Sequence, residues 1–370
     1  MRRLTCLLSI LVTLFAAAGS AAAAGPPDTT APALNALATA PQVYGAWHCG
    51  DDFCTWDAAR TAAEFDSRNH WLIDRGDGRP SVNVVVLSFV NPLTLLRQTT
   101  DATTLGGVPR GMTSEIVTYF TSRGVRVMLS IGGITYTDDW DAALSENPTL
   151  LGQRAAAAAA QLGVGIEIDY EQNTDPNLPA LQSFIDAYRA VHPYDDTGAR
   201  PAARLTIDVA AGDRWLIALN RKATADWLRA DTPVLDYANA MVTARPASPS
   251  NAVGNWQEHI DGKPQYAPPV PPLAPAKFTG GVYIAYGGKA LPECVNYPAS
   301  VQNATAPYIQ SVAPNGAGTT AGMLGFMFWA AERPSTRGIG TVPPNTCEGG
   351  VGAGASALAV PVPMPPLRQS

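Results

Sequence analysis

The segment Gly163-Val-Gly-Ile-Glu-Ile-Asp-Tyr-Glu171 alternates acidic with apolar side chains near the middle of the 370-residue chain. Because a β-strand directs alternate side chains to opposite faces, Glu167, Asp169 and Glu171 would share one face of a strand. The intervening side chains, two isoleucines and a tyrosine, would form the packing face. Three carboxylates on a buried strand are costly unless they share protons and hydrogen bonds. The pattern therefore predicts a strand whose acidic face has a chemical use.

Seven further segments are rich in apolar and β-branched residues, which predicts strands. Together with the acidic strand, they bring the number of predicted strands to eight. The additional strands are Val43–Trp47, Val82–Val90, Val125–Ser130, Leu205–Ala210, Tyr237–Val242, Gly281–Ala285 and Met323–Trp329.

Helix-forming segments lie between several of these strands. The segment Leu150–Leu162 is especially rich in alanine, which is the strongest helix former. Thr113 and Asn147 stand where N-caps are expected, because their side chains can accept hydrogen bonds from the first turn. The four predicted helices are Met112–Arg123, Leu150–Leu162, Pro179–Ala190 and Thr224–Arg229.

Strongly apolar strands that alternate with helices favour a parallel sheet covered on both faces. Eight such units predict an α/β fold, a closed (β/α)8 TIM barrel that forms a single catalytic domain over residues 42–340. A doubly wound open sheet is the alternative. That fold usually carries a glycine-rich phosphate loop after an early strand, and the sequence has none there.

The segments outside this domain have distinct compositions. Residues 1–24 have two arginines, an apolar run and small residues, which predicts a signal peptide. Residues 25–41, rich in Pro, Ala and Thr, are predicted to form a linker, and residues 341–370 a Gly/Ala/Pro-rich tail. Inside the domain, Ser248–Lys277 is Pro-rich and is predicted to be a long loop after the sixth strand. Its Trp256 and His259 either line a cleft or belong to a Pro-stiffened surface loop.

Composition excludes several classes of partner. The chain has 25 basic and 31 acidic residues and no basic stripe, so we expect no nucleic-acid partner. No run after the signal approaches the ~20 apolar residues of a membrane span, so we expect no membrane anchor. The expected protein is a secreted monomer, extracellular or periplasmic, and its net negative charge favours a neutral substrate. No cofactor and no metal are expected.

Four cysteines follow the signal segment, namely Cys49, Cys54, Cys294 and Cys347. An even number in an exported protein predicts two disulfides. Pairing of Cys49 with Cys54 and of Cys294 with Cys347 is favoured, and other pairings remain open. A zinc site is the competing interpretation, but the first cysteine pair lacks a matching second half.

The acidic strand has the features of a general acid site. Active sites of (β/α)8 barrels lie at the C-terminal ends of the strands, and Glu171 is nearest to that end. Carboxyl groups this close share protons, which raises their pKa values, as a general acid requires. Glu171 is therefore the expected proton donor and Asp169 its tuning partner. Asp208, in the middle of the next predicted strand, is either a second catalytic carboxylate or a polar residue that lines the barrel.

The segment Gly165-Ile-Glu-Ile-Asp-Tyr-Glu171 resembles the Asp-Gly-x-Asp-x-Asp-x-Glu signature of glycoside hydrolase family 18, the chitinase family. Four further segments resemble motifs of that family and occur in the family's order. They are Leu87-Ser-Phe-Val90 in the second strand, Ser130-Ile-Gly-Gly133 in the third, Asn239-Ala-Met241 in the sixth and Gly325-Phe-Met-Phe-Trp329 in the eighth.

The resemblance implies substrate-assisted catalysis, in which the 2-acetamido oxygen of the substrate attacks the anomeric carbon and the configuration is retained. Glu171 would protonate the glycosidic oxygen and later activate water. Asp169 would orient the acetamido group, and Glu167 would control the charge on Asp169. Trp329 would form the apolar floor under the distorted sugar. The remaining residues expected to contact substrate are Tyr44, Trp47, Asn239, Met241 and Tyr286.

The sequence departs from the family pattern at several positions. Val164 replaces the first Asp of the signature, Glu167 the innermost Asp, and Tyr170 the usual Trp. The sixth strand lacks the Tyr that holds the acetamido oxygen, since Thr243 and Ala244 follow Met241. Candidates to replace this Tyr are Tyr286, Tyr44 and Arg245.

The predicted function is hydrolysis of β-1,4 bonds in glycans that contain N-acetylglucosamine, with chitin or chito-oligosaccharides as the first candidates. An endo-β-N-acetylglucosaminidase acting on N-glycans is one alternative, and a non-catalytic chitinase-like sugar-binding protein is another. Retention of Glu171 favours an enzyme, whereas loss of the sixth-strand Tyr favours sugar binding or a different sugar.

Overall fold

Eight parallel strands close into a barrel in the structure, a computed structural model that describes residues 43–49, 61–73, 80, 82–241, 249–283 and 323–329. Each strand pairs with the next along the chain, and the eighth pairs with the first. The predicted (β/α)8 barrel is confirmed. The strands are β1 (Val43–Cys49), β2 (Val84–Val90), β3 (Arg126–Gly132), β4 (Gly165–Asp169), β5 (Leu205–Val209), β6 (Ala238–Ala240), β7 (Phe278–Tyr283) and β8 (Gly325–Trp329).

Helices cover the outside of this sheet. They are α1 (Ala62–Asn69), α2 (Pro92–Arg97), α3 (Ser114–Thr121), α4 (Thr137–Glu146), α5 (Pro148–Leu162), α6 (Leu178–Val191), α7 (Ile217–Lys222) and α8 (Pro249–Asp261). A π-helical turn, Ala223–Trp227, continues α7 where the sequence predicted a helix from Thr224 to Arg229.

The predicted caps of α3 and α5 are confirmed. The Thr113 hydroxyl accepts a hydrogen bond from the Ile116 backbone N–H at 3.4 Å, and the Asn147 side chain accepts one from Leu150 at 2.9 Å. Each cap satisfies a backbone donor that the first helical turn leaves unpaired.

The predicted long loop Ser248–Lys277 is wrong in its first half, where the chain forms α8. Trp256 and His259 lie on one face of this helix and are 1% and 3% exposed, so they do not line a cleft. The His259 Nε2 lies 2.7 Å from the Ala210 carbonyl oxygen, and its ring contacts Phe278 of β7. The prolines stand at the helix start and after its end, where they do not interrupt it. β7 also begins three residues before the predicted strand.

The barrel encloses two kinds of side chain. An apolar cluster combines residues of β1, β2, β3 and β8 with Tyr237, which precedes β6. A row of buried polar side chains comes from β3 through β7, namely Ser130, Glu167, Asp208, Asn239 and Thr279. The polar row is a costly interior unless its members bond to one another, so it marks the part of the barrel where chemistry is expected.

Several predicted features lie outside the described residues. These are the signal peptide, the linker, the C-terminal tail, Thr243, Ala244, Arg245, Tyr286, the side chain of Tyr44, and Cys54, Cys294 and Cys347. Disulfide pairing therefore stays a prediction. Within the described ranges, no helix is both long and apolar enough to cross a membrane.

Candidate active site

Glu167 lies at the centre of the barrel, fully buried, and is held by donors from opposite sides. The Trp47 indole N–H of β1 donates to its Oε1 at 2.9 Å, and the Asn239 amide of β6 donates to its Oε2 at 2.5 Å. The Thr279 hydroxyl of β7 donates to the Asn239 carbonyl at 2.6 Å, which orients that amide. Four strands thus fix one carboxylate, and these donors favour its ionised form against the burial that raises its pKa.

Exposure increases along the acidic face of β4. Glu167 is inaccessible, Asp169 is 3% exposed, and Glu171 beyond the strand end is partly exposed. The Asp169 Oδ1 has no hydrogen-bond partner among the described residues. Strand periodicity explains this order, because each successive acidic residue lies two positions nearer to the C-terminal mouth of the barrel. The structure brings the three residues together as the sequence predicted.

All three carboxyl groups have raised pKa values, and burial is the main cause in each case. Burial raises the pKa of Glu171 to about 7, against the opposing hydrogen bond from the Ile134 backbone N–H. Burial also raises the pKa of Asp169 well above its usual range, and the charges of Glu171 and Glu167 add to this effect. The group nearest to solvent is therefore the one that exchanges its proton near neutral pH, as a general acid must.

Asp208 of β5 joins the same cluster and is 2% exposed. Burial raises its pKa well above the usual range, and the charges of Glu167 and Asp169 raise it further. Its hydrogen bond with Glu167 favours a proton on Asp208, because Glu167 already accepts from Trp47 and Asn239. Asp208 thus belongs to the buried end of the acidic cluster and lines the barrel, away from the mouth. This arrangement supports the second of the two roles left open by the sequence.

Two glycines let β3 approach β4 at the mouth. Gly132 has φ +121°, and a Cβ there would lie 1.9 Å from the Asp169 carbonyl oxygen. That oxygen accepts hydrogen bonds from the Gly133 backbone N–H at 3.0 Å and from the Trp140 indole at 3.1 Å. The Ser-x-Gly-Gly segment therefore positions the backbone of Asp169, since no larger residue could stand at Gly132 without moving β4.

A second hydrogen-bond network holds the residues on both sides of Glu171. The Tyr170 hydroxyl donates to Asp141 Oδ1 at 2.5 Å, and the Gln172 amide donates to Asp141 Oδ2 at 2.7 Å. The Asn177 backbone N–H donates to the Tyr170 hydroxyl at 3.0 Å. Neither Asp141 nor Gln172 was predicted from the sequence. Their only signal was an acidic residue on α4 and an amide next to the acidic strand, which are common surface residues.

The predicted substrate-contacting residues fall into different environments. Trp329 is partly exposed, and its ring stacks on Phe89 with centroids 5.5 Å apart and planes 29° apart. Trp47 is 3% exposed and Asn239 is fully buried. Both side chains donate hydrogen bonds to Glu167. Met241 is partly buried and packs against the core between the sheet and its helices. In the described part of the chain, no group of three or more His, Cys, Asp or Glu residues is placed to hold a metal ion.

Comparisons with known proteins place the fold. No family model and no curated protein sequence matches the chain. A glycoside hydrolase family 18 chitinase from Pseudoalteromonas aurantia is similar in structure, with a TM-score of 0.50 and 14% identity over 78% of this chain and 93% of that one. A group IV chitinase from Ostrinia furnacalis in complex with allosamidin has a TM-score of 0.49, with 11% identity over 85% and 97%.

An endo-β-N-acetylglucosaminidase from Cordyceps militaris has a TM-score of 0.43, with 13% identity over 85% of this chain and 89% of that one. At these identities the comparisons concern the fold, and the first of them supports the barrel described above. This chain shares the (β/α)8 fold of a glycoside hydrolase family 18 chitinase.

Proposed function

We propose that this protein is a divergent member of glycoside hydrolase family 18, a retaining glycosidase that hydrolyses β-1,4 bonds of N-acetylglucosamine-containing glycans, chitin or chito-oligosaccharides first. The proposal rests on the increase in side-chain exposure along the acidic face of β4, from Glu167 to Glu171. Glu167 is fully buried and accepts hydrogen bonds at both carboxylate oxygens, and Asp169 is slightly exposed. Glu171 lies at the mouth of the barrel and has a pKa of about 7. In a purely structural cluster there is no reason for the least buried and most readily titrated carboxyl group to lie at the opening of the barrel.

Each acid has a role that its environment supports. Protonated Glu171 donates its proton to the glycosidic oxygen while the acetamido oxygen of the substrate attacks the anomeric carbon. The bond between that carbon and the glycosidic oxygen breaks, and the leaving sugar departs with the proton as its hydroxyl group. The resulting oxazolinium intermediate is then opened by a water molecule that Glu171, now a carboxylate, deprotonates. Asp169, whose Oδ1 has no partner among the described residues, is available to accept the acetamido N–H. Glu167 stays in place close to Asp169, and its charge adds to the rise in the pKa of Asp169, which favours a proton on Asp169 before substrate binds.

Aromatic side chains supply a surface for the sugar ring. Trp329 at the end of β8 is partly exposed and stacks on Phe89 of the second strand, so one of its edges or faces remains open to a ligand. An indole suits the C–H face of a pyranose because that face is apolar. Because β8 lies beside β1 across the barrel from β4, Trp329 and the acidic cluster can contact one sugar from two sides.

Hydrolysis of 4-methylumbelliferyl chitobioside and chitotrioside tests the proposal. The parent protein should release the fluorophore, and Glu171→Gln should lower kcat/KM by about 10²–10⁴, as expected for loss of a general acid. Glu115→Gln, at an exposed position on α3, is the matched control and should retain parent activity. NMR of the first-formed product should show retained anomeric configuration.

The outcomes separate the alternatives. Parent-like rates in Glu171→Gln would overturn the assigned role of Glu171. Binding of chito-oligosaccharides without turnover by the parent would identify a sugar-binding protein. Cleavage of a high-mannose glycoprotein, but not of chito-oligosaccharides, would instead identify an endo-β-N-acetylglucosaminidase. Thr243 at the position of the sixth-strand Tyr is the feature that makes this second enzyme activity worth testing.

The proposed localisation is outside the cytoplasm, either extracellular or periplasmic. The charged start, apolar run and small residues over residues 1–24 support export. N-terminal sequencing of protein recovered from the culture medium or periplasm tests this, since cleavage is expected near Ala22 to Ala24. Recovery of uncleaved protein in the cytoplasm alone would contradict it.

A further inference from the structure

Glu171 lies two residues beyond the end of β4. The backbone pairing of β4 ends at Asp169 opposite Gly132 of β3, and at Ile168 opposite Ile207 of β5. Glu171 therefore stands outside the paired part of the strand. A general acid works only when it is held close to its productive position, so contacts other than the strand ladder must fix this residue.

The carboxylate of Asp141, on α4, binds the residues immediately before and after Glu171. Its Oδ1 accepts a hydrogen bond from the Tyr170 hydroxyl at 2.5 Å, and its Oδ2 accepts one from the Gln172 amide at 2.7 Å. Burial raises the pKa of the Tyr170 hydroxyl, and the hydrogen bond to Asp141 adds to the rise, so the hydroxyl keeps its proton and remains a donor. One side chain thus holds both neighbours of Glu171 in the chain.

Tyr170 and Gln172 are each fixed by a second hydrogen bond. The Tyr170 hydroxyl accepts from the Asn177 backbone N–H at 3.0 Å, and the Tyr170 side chain is buried. The Gln172 Oε1 accepts from the Thr174 backbone N–H at 3.0 Å, which leaves the amide nitrogen of Gln172 facing Asp141. Because both partners of Asp141 are oriented in this way, the network can impose one geometry on the residue between them.

The segment that carries Asp141 also contacts the acidic strand directly. The Ile134 backbone N–H donates a hydrogen bond to the carboxyl group of Glu171. The indole N–H of Trp140, next to Asp141, donates to the Asp169 carbonyl oxygen at 3.1 Å. The segment from Ile134 to Asp141 therefore contacts Asp169 and each of the three residues that follow it.

We infer that Asp141 is a positioning residue for the general acid: it fixes the chain on both sides of Glu171 and so aims the Glu171 carboxyl group at the glycosidic oxygen. This role depends on the function proposed above for Glu171, and Asp141 acts through Tyr170 and Gln172 rather than through contact with substrate. A displacement of about 1 Å can cost about 10² in rate. Loss of this contact should therefore lower kcat and leave KM nearly unchanged.

Steady-state hydrolysis of 4-methylumbelliferyl chitobioside tests the inference. Asp141→Asn keeps one acceptor but places an amide nitrogen against the amide nitrogen of Gln172. Gln172 cannot turn its amide without losing the hydrogen bond from Thr174. Asp141→Asn should lower kcat about tenfold and change KM by less than about twofold.

A second substitution separates hydrogen-bond geometry from general damage to the fold. Gln172→Glu in the Asp141→Asn background exchanges donor and acceptor at unchanged net charge, so it should recover most of the lost kcat. Gln172→Glu alone places two carboxylates together and should lower kcat. Asp138→Asn, at an exposed position on the same helix, is the matched control and should retain the parent kcat.

A 13C NMR titration of the Glu171 carboxyl group tests the positioning without turnover. Burial is the main cause of the pKa of about 7, and it outweighs the hydrogen bond from Ile134. A Glu171 side chain released toward solvent should therefore titrate at lower pH, at about 6.5 or below. Tyr170→Phe, which removes one donor to Asp141 without a change of charge, should show this decrease, as should Asp141→Asn. Asp138→Asn should titrate as the parent does.

The outcomes separate this inference from the proposed function. Absence of turnover in both the parent and Asp138→Asn would contradict the proposed function, and the NMR titration would then decide the positioning. With an active parent, parent-like kcat in Asp141→Asn would overturn the inference. A loss of kcat that Gln172→Glu does not recover would show a merely structural role for Asp141. An unchanged Glu171 pKa in both Tyr170→Phe and Asp141→Asn would also overturn the inference.

Discussion

Replacing Glu171 by glutamine should change how the stability of the protein depends on pH. Burial raises the pKa of this carboxyl group from its ordinary value of 4.5 to about 7. A carboxyl group whose pKa is raised by folding binds its proton more tightly in the folded state. The contribution of this group to the free energy of unfolding is favourable at low pH and is lost as the pH rises from 4.5 through 7.

The magnitude follows from the same shift. About 2.5 pKa units correspond to roughly 3.4 kcal/mol of unfolding free energy. Part of that loss occurs below pH 5, which leaves about 2.5 kcal/mol between pH 5 and pH 8. Glu171 is partly exposed, so solvent screening reduces the expected value to about 2 kcal/mol. Glu171→Gln should therefore lose about 2 kcal/mol less stability than the parent between these pH values.

Urea unfolding followed by tryptophan fluorescence at pH 5, 6, 7 and 8 measures the effect. The variant should keep a residual pH dependence, because Glu167, Asp169 and Asp208 also have raised pKa values. Glu115→Gln, at an exposed position, should follow the parent curve. Parallel curves for Glu171→Gln and the parent, within about 0.5 kcal/mol, would refute the assignment of a raised pKa to Glu171.

Three further predictions concern the same site. Trp47→Phe removes a hydrogen-bond donor to buried Glu167 and should lower the free energy of unfolding in urea at pH 8 by about 2 kcal/mol. The control Trp215→Phe should lower it by less, and equal losses in the two variants would contradict the role of the indole N–H. Gly132→Ala places a Cβ against the Asp169 carbonyl and should cost more than about 3 kcal/mol, whereas Gly124→Ala, with open space and φ +77°, should cost about 1 kcal/mol. The kcat/KM for a chitobioside should fall above about pH 7 as Glu171 loses its proton, and a plateau extending to pH 9 would argue against this acid.

Much of the fold follows from local patterns in the chain. The two-residue period of the acidic strand placed three carboxyl groups on one face, and the structure keeps them there. The caps at Thr113 and Asn147 were predictable because capping depends on residues only three positions away. The helix α8 was not predicted because the surrounding prolines indicated a loop. Its buried face, which includes Trp256 and His259, becomes evident only when the helix packs against β7.

Hydrogen bonds between residues far apart in the sequence could not be predicted from local patterns. Trp47 and Glu167 are 120 residues apart, and Glu167 and Asn239 are 72 residues apart. Trp47 and Asn239 were expected to contact substrate, and in the structure both donate hydrogen bonds to Glu167. No periodicity links such residues, because only closure of the barrel brings β1, β4 and β6 to a common centre.

The sequence by itself determined which residues form the acidic face and in what order they approach the mouth of the barrel, because side-chain direction in a strand is a local property. Only the tertiary structure decided how their protons are shared. That depends on desolvation and on donors from other strands, and both exist only once the barrel has closed.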